Sequence, residues 1–194
     1  MTKYFTGNQI DKAATLLEHG GVMAYPTEAV YGMGCDPHNQ TAFVNLLALK
    51  QRPLDHGVLL IAAEIEEIEY YIDLEALPTR VWVQVRQTWP GFVTWIFPCT
   101  PHVPDWVQGK HGTVALRVTA HGPSVALCRA FGGALVSTSA NPHGAPPARS
   151  AQEVLAYFAD AVDGKLDGVL DAPLGQWSRP STIRDARTGM IVRA

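Results

Sequence analysis

Short apolar runs, each closed off by proline, glycine or small polar residues, restrict this chain to folds built on a central sheet. Residues 22–25 stop at Pro26, residues 58–62 follow a glycine, and residues 134–136 run into a serine-rich segment. Runs this short suit buried strands, whereas the stretches between them place apolar residues at helical spacing. Because the two patterns follow one another without regular alternation, the sequence predicts an α/β fold with a twisted mixed sheet and flanking helices.

The same patterns predict individual elements. Helices are expected near residues 10–18, 41–49, 123–132 and 150–159, and residues 64–88 carry mostly helical signals interrupted at Pro78. Strands are expected near residues 22–25, 58–62, 92–97, 113–118, 134–136, 168–170, 182–184 and 190–193. A capping box that pairs Ser150 with Glu153 marks the start of the last helix. No repeat or linker divides the chain, so we expect one domain over residues 1–194.

Composition excludes several functional classes. The 47% apolar and 17% charged residues describe a folded chain and not a disordered one. The apolar runs are too short to cross a bilayer and the start lacks a signal peptide, so a cytoplasmic location without membrane contact is expected. Three unpaired cysteines favour a reducing compartment over a disulfide framework or a zinc site. A net charge of −3 argues against nucleic acid as the main ligand, but allows a local positive cleft for a small anion.

Two polar segments fall where the patterns place the end of a strand or a helix. Thr27 follows the strand that Pro26 stops, where ligands of sheet proteins gather; a turn capped by Thr27 fits the same residues. Lys50 continues the apolar face of the second helix, and Arg52 precedes Pro53 in extended chain. Two such cations suit a polyphosphate, whereas a lysine that satisfies the helix C-terminus is the structural alternative.

Two further segments place polar groups on or beyond strands. In the strand at residues 113–118, alternation puts Thr113 and Arg117 on one face. Arg117 there suits a carboxylate gripped by two hydrogen bonds, and an arginine on a solvated face is the alternative. Residues 137–141, with the sequence Ser-Thr-Ser-Ala-Asn, offer hydroxyls, an amide and accessible backbone N–H groups at a strand exit. A polar loop with Asn141 in a turn fits them equally.

Together these segments resemble the YrdC family, the threonylcarbamoyl-AMP synthases. The resemblance runs nearly end to end and rests on six segments in the family's order: YPTEAVYGMGCDP (25–37), LKQRP (49–53), WPGFVTWIFP (89–98), VALRV (114–118), LVSTSAN (135–141) and PSTIRDARTG (180–189). It implies a single YrdC-like α/β domain of the short bacterial type, with its sheet around a concave cleft.

The resemblance also implies a reaction. L-Threonine, bicarbonate and ATP give threonylcarbamoyl-AMP and pyrophosphate, the first step of N6-threonylcarbamoyladenosine formation at position 37 of tRNAs. ATP is then a substrate, accompanied by Mg²⁺, and other proteins transfer the threonylcarbamoyl group to tRNA. We expect positioning and electrostatics to carry the catalysis, because no nucleophile, acid–base pair or protein cage for a metal stands out.

The family pattern assigns roles to particular residues. The catalytic set is Lys50, Arg52, Ser139 and Asn141, which contact ATP together with Thr113 and Arg193. The threonine-binding set is Thr27, Arg117, Ser137 and Ser181, with Arg117 on the α-carboxylate. The chain departs from the pattern at Pro142-His143, which affects the geometry expected for the loop after Asn141, and at Arg179-Pro180, which weakens the assignment of Ser181 and Arg193.

Two other functions fit parts of the sequence. One is a tRNA or double-stranded RNA maturation factor that uses the same cleft, against which the net acidity counts, although weak tRNA binding is compatible with a positive cleft. The other is a related carbamoyl-adenylate enzyme such as a carbamoyltransferase subunit. Such enzymes carry the fold inside a much longer, cysteine-rich chain, so we favour the synthase.

Overall fold

Two of the helices begin at a residue whose side chain caps the first turn. The computed structural model describes residues 1–51 and 58–194. Helix α2 (Gln40–Lys50) follows Asn39, whose side chain accepts a hydrogen bond from the Ala42 N–H, and α6 (Ala151–Phe158) follows Ser150, which caps Glu153 in the same way. The other helices are α1 (Ile10–Glu18), α3 (Thr79–Thr88), α4 (Asp105–Gln108) and α5 (Gly122–Phe131). Within the described ranges, no helix is long and apolar enough to span a membrane.

Ten strands of the described residues form one mixed sheet. They are β1 (Lys3–Thr6), β2 (Met23–Pro26), β3 (Tyr31–Gly34), β4 (Leu59–Ala62), β5 (Val93–Pro98), β6 (Thr113–Val118), β7 (Leu135–Ser139), β8 (Gly168–Asp171), β9 (Thr182–Asp185) and β10 (Ile191–Arg193). Their order across the sheet is β1-β8-β2-β3-β7-β4-β6-β5-β9-β10. The pairs β1–β8, β2–β8, β4–β6 and β5–β9 are parallel and the other neighbours are antiparallel, which confirms the predicted mixed sheet.

Helices pack on both faces of the sheet. One face carries the larger core, to which α2, α3 and α6 contribute apolar side chains such as Phe43, Val85 and Val154. The other face packs against α1 and α5, whose Leu17 and Leu127 belong to a smaller cluster. On this second face Leu59, Ile96 and Ala115 keep partial exposure, so the two helices leave part of it open to solvent.

Most predicted elements are confirmed to within a residue or two, but two predictions are wrong. Residues 64–77 contain no α-helix: they form the short 3₁₀ helices Ile65–Glu67 and Glu69–Tyr71 before α3. The Glu67 carboxylate accepts the Ala63 N–H at 2.8 Å, and such local bonding competes with a regular helix. The strand predicted to stop at residue 136 continues to Ser139, because Thr138 and Ser139 pair with β3.

Three elements have no counterpart in the sequence prediction. Strand β3 contains two glycines and lies between β2 and β7, so pairing on both sides forms the strand without β-branched side chains. Strand β1 is an edge strand with three of its four residues exposed, and α4 has only four residues. All three elements are too short or too polar to give a periodic signal.

Candidate active site

Lys50 joins the end of α2 to the end of β7. It is the last residue of the helix and only 6% exposed. Its Nζ donates hydrogen bonds to the carbonyl oxygens of Ser139, at 2.5 Å, and Asn141, at 3.0 Å. The structure therefore brings together three of the four residues of the predicted catalytic set. The fourth, Arg52, lies outside the described residues.

Asn141 provides an unsatisfied hydrogen-bond acceptor close to Lys50. Its amide Nδ2 donates to the carbonyls of Pro142, at 3.0 Å, and Ala145, at 2.8 Å, and so closes the turn that contains the unusual Pro142-His143 pair. Its Oδ1 is buried and has no partner among the described residues. A buried acceptor without a donor is costly, and its presence is typical of a site that a ligand completes.

Arg117, a member of the predicted threonine-binding set, is a buried cation in β6. Its guanidinium pairs with the carboxylate of Glu28 at 3.1 Å and lies 5.4 Å from the ring centre of Phe92. Burial lowers the pKa of Arg117, and the charge of Glu28 opposes that shift. The Nε of Arg117 is buried without a partner among the described residues, so one edge of the guanidinium remains unsatisfied.

Thr27 and Ser137 lie on either side of Gly32. The Thr27 hydroxyl and N–H both donate to the Val30 carbonyl, at 2.7 and 3.1 Å, which fixes the connection between β2 and β3. A Cβ placed on Gly32 would lie 3.1 Å from the Thr27 Cγ2 and 3.2 Å from the Ser137 Oγ. The two predicted threonine-binding residues are therefore neighbours, and both are buried.

Ser181 and Arg193, the two tail residues of the predicted sets, contact each other. The Ser181 hydroxyl is 2.9 Å from the Thr94 hydroxyl, and the Arg193 guanidinium donates to the Ser181 carbonyl at 3.1 Å. Strand register places Thr94 and Arg193 on one face, because both lie on the same side as Ile183, their partner in β9. The structure thus places Arg193 beside a predicted threonine-binding residue.

Arg117 and Ser137 lie on the face of the sheet that α1 and α5 leave partly open, whereas Lys50 approaches the end of β7 from α2. Ser137 is opposite Leu59, which is opposite Ala115 of β6, so Ser137 shares this face with Arg117, two residues beyond Ala115. Ser139 is opposite Gly32. Thr113, at the start of β6, is on this face too.

The surface depression beside α1 does not contain the predicted site residues. A depression of about 790 Å³ lies beside α1 and is lined by charged side chains that include Lys3, Lys12 and Lys165. None of the residues of the two predicted sets lines it. In the described part of the chain, no three histidine, cysteine, aspartate or glutamate residues are grouped so that they could hold a metal ion.

Comparison with known proteins establishes the family. The Sua5/YciO/YrdC family, described as telomere recombination, matches residues 15–194. A relative from Cellvibrio japonicus, named threonylcarbamoyl-AMP synthase, is 49% identical over 186 residues, which cover 95% of each chain. The chain belongs to the Sua5/YciO/YrdC family.

Solved structures of this family share the fold. P. abyssi Sua5 complexed with L-threonine matches 95% of this chain with a TM-score of 0.84 and 26% identity, and the chain spans 54% of that protein. E. coli YciO matches all of this chain and 95% of its own length, with a TM-score of 0.81 and 26% identity. Both matches confirm the single α/β domain with a mixed sheet and flanking helices.

Glu28 is a site residue of this Sua5/YciO/YrdC chain that was not predicted from the sequence. Its carboxylate is 5% exposed and accepts hydrogen bonds from Arg117 and, at 2.7 Å, from the Thr119 hydroxyl. The available signal was an acidic residue in an otherwise apolar and small-residue segment, since a carboxylate buried there needs a cationic partner. Sequence alone did not indicate that Arg117 was that partner.

Proposed function

We propose that this chain is a threonylcarbamoyl-AMP synthase. The amine of L-threonine combines with bicarbonate to give a carbamate and water, and a carbamate oxygen then attacks the α-phosphorus of ATP while pyrophosphate leaves. The relatives that it matches over nearly their whole length carry that name. The product is threonylcarbamoyl-AMP.

The observation that carries the proposal is that β7 bears residues of both predicted sets. Ser139 lies next to Lys50 and Asn141, and Ser137 lies next to Thr27. Two residues apart on a strand, these serines share a face and are separated by about 7 Å. That distance suits a carbamate bound on one side and the α-phosphate on the other, which is the geometry that the adenylation step requires.

Lys50, with Arg52 as the family pattern implies, would stabilise charge on the phosphoryl oxygens and the departing pyrophosphate. Ser139 would complete this set by donating its hydroxyl to a phosphoryl oxygen. The unsatisfied Oδ1 of Asn141 only accepts, so it would meet a donor of the bound substrate, such as a hydroxyl or a water of MgATP, and not a phosphoryl oxygen. Thr113 and Arg193 are assigned to the nucleotide by the family pattern alone. Fixed cations and donors in a site that excludes water contribute most to such a transition state.

Arg117 would bind the α-carboxylate of threonine. Glu28 already occupies one terminal nitrogen of its guanidinium, so the substrate carboxylate would meet the unsatisfied Nε edge. Thr27, Ser137 and Ser181 would surround the rest of the amino acid. A guanidinium held by a carboxylate on one side presents its remaining donors in a fixed direction, which favours two-point binding.

Mg²⁺ would enter as part of the MgATP substrate. The described residues provide no cluster of acidic or histidine ligands, and an ion held chiefly by substrate phosphates and water needs none. We also propose a cytoplasmic location, a domain that spans residues 1–194, and downstream proteins that pass the threonylcarbamoyl group to tRNA. Any direct contact with tRNA would be weak at a net charge of −3.

The test is a pyrophosphate-release assay across amino acids, with and without bicarbonate. We expect release from ATP only when threonine and bicarbonate are both present, with threonylcarbamoyl-AMP identified by mass spectrometry. Release without bicarbonate, or with every amino acid equally, would contradict the proposal. RNA binding without any ATP turnover would favour the maturation factor instead.

A further inference from the structure

A strap formed by residues 172–181 lies against the backbone that carries the amino-acid site. The Gly175 N–H donates to the Thr27 carbonyl at 3.0 Å, and the Trp177 N–H donates to the Glu28 carbonyl at 3.1 Å. The packing leaves no space for a side chain, because a Cβ on Gly175 would lie 2.6 Å from the Glu28 carbonyl oxygen. The position of the strap and the position of Glu28 are therefore coupled.

His121 ties this strap to the segment between β6 and α5. The side chain is buried, with 8% exposure. Its Nε2 lies 3.0 Å from the Pro173 carbonyl of the strap, and its Nδ1 lies 2.9 Å from the Ser124 hydroxyl. Ser124 in turn donates to the Pro26 carbonyl at 2.9 Å. The His121 imidazole, together with Ser124, therefore connects the strap, the segment between β6 and α5, and the end of β2.

The hydrogen-bonding groups around His121 fix its tautomer. A carbonyl oxygen only accepts, so the contact with Pro173 requires a hydrogen on Nε2. Burial lowers the pKa of His121, and the hydrogen bond to Pro173 and the charge of Glu28 oppose that shift. In the neutral ring Nδ1 is an acceptor, and the Ser124 hydroxyl, which has one hydrogen, can donate it either to this nitrogen or to the Pro26 carbonyl.

We propose that His121 is a positioning residue for the amino-acid site. Its Nε2–H holds Pro173, and this hydrogen bond keeps the strap against Thr27 and Glu28. Glu28, held in this way, orients the guanidinium of Arg117. The inference rests on the proposed function for its kinetic consequence, since Arg117 is there assigned to the threonine carboxylate. Its structural consequence, a strap fixed in place, is independent of any substrate.

Trp177 provides a reporter of the strap. It is 58% exposed and stacks on Phe92 with ring centroids 5.2 Å apart, and Phe92 also packs against Arg117. The other four tryptophans are buried or only partly exposed. Each variant is therefore compared with the same variant carrying Trp177→Phe as well, and the difference in fluorescence between the two proteins reports on Trp177 in the strap.

The experiment compares His121→Ala, His121→Gln and His121→Asn. The amide nitrogen of glutamine can replace Nε2 toward Pro173, whereas the shorter asparagine can replace only Nδ1. We expect His121→Ala and His121→Asn to raise the KM for threonine about fivefold, the effect of about one lost neutral hydrogen bond, with kcat and the KM for ATP unchanged. His121→Gln should restore the KM for threonine. His19→Ala, at an exposed histidine on the C-terminal end of α1, is the matched control.

Acrylamide quenching of Trp177 is measured on the same proteins without substrate. Quenching should rise in His121→Ala and His121→Asn and return to the wild-type value in His121→Gln. If His121→Ala does not fold, the comparison of His121→Gln with His121→Asn is sufficient to test the role of the Nε2–H. Unchanged quenching in the asparagine variant would overturn the inference, as would a loss of kcat in every variant without any change in the KM for threonine. If the wild-type protein releases no pyrophosphate with threonine, the proposed function fails while the quenching still tests the strap.

Discussion

Lys50 is a cation kept in the interior by its hydrogen bonds. A lysine buried to this degree would lose its charge or destabilise the fold unless its ammonium were satisfied, and the carbonyls of Ser139 and Asn141 accept two of its hydrogens. The sequence alternative, in which Lys50 caps its own helix, does not account for these contacts with β7. The same contacts direct the charge to the strand end where the proposal places the phosphates.

We expect Lys50→Ala to lower the rate of pyrophosphate release by about 10²–10³-fold, the scale for loss of one group that stabilises the transition state. Steady-state kinetics with saturating threonine measure the effect. Lys12→Ala, at an exposed lysine of α1, is the control and should keep the full rate. Full turnover by both Lys50→Ala and Arg52→Ala would remove the phosphate assignment.

Arg117 and Glu28 form a buried pair whose members depend on each other. Removal of the cation alone would leave the Glu28 carboxylate buried without its partner, at a cost of about 3–5 kcal/mol in the free energy of unfolding. A loss of activity in Arg117→Ala therefore combines two effects. Arg117→Lys separates them, because it keeps the charge and removes the forked donor geometry.

Arg117→Lys should raise the KM for threonine about tenfold and leave the KM for ATP unchanged, since one directed hydrogen bond to a carboxylate is lost. Thermal unfolding checks that the variant keeps its fold. A threonine dependence identical to that of the wild-type protein would exclude Arg117 from the amino-acid site.

At the scale of elements, β7 organises the site through its neighbours. It pairs with β3 on one side and with β4 on the other, both antiparallel. In this central position Ser137 is in register with Leu59 and Ser139 is in register with Gly32, so the polar segment has the rigidity of a paired strand. A site on a paired strand holds its groups more accurately than one on a loop.

Gly32 of β3 sets the space between two predicted threonine-binding side chains. The added methyl group of Gly32→Ala would approach Thr27 and Ser137 at 3.1 and 3.2 Å, closer than ordinary van der Waals contact. We expect the KM for threonine to rise about tenfold, because Thr27 and Ser137 would have to move away from the methyl group and so leave the positions proposed to bind threonine. Gly133→Ala, where a methyl group meets nothing within 4 Å, is the matched control. Equal kinetics for the two variants would contradict the placement of threonine here.

At the scale of the whole molecule, charge distinguishes the enzyme from an RNA-binding protein. A net charge of −3 gives little long-range attraction for a polyanion, whereas a triphosphate needs only a few local cations. We therefore expect pyrophosphate release to proceed at the full rate without tRNA. Its rate should stay within about twofold when tRNA is added at 150 mM salt, a concentration that screens exposed charges beyond about 8 Å. A rate that depends on tRNA would show that RNA forms part of the active complex.

Local patterns in the chain predicted the fold class and most elements, which the structure confirms, and they singled out the residues proposed for the site. Apolar runs of strand length, helical spacing and caps such as Ser150 act over a few residues, so they can be read locally. The family resemblance added the reaction and the roles, including those of Thr27, Arg117 and Lys50. These assignments needed no knowledge of which segments become neighbours.

Contacts between distant parts of the chain could not be predicted from local patterns. The pairing of Glu28 with Arg117 joins residues 89 positions apart, and the contact of Lys50 with Ser139 joins residues also 89 positions apart. Strand β3, weak in local propensity, exists because β2 and β7 supply its hydrogen bonds. Long-range strand pairing and the burial of charge depend on the whole chain, because a buried ion or an unpaired strand is stable only once its distant partner is in place.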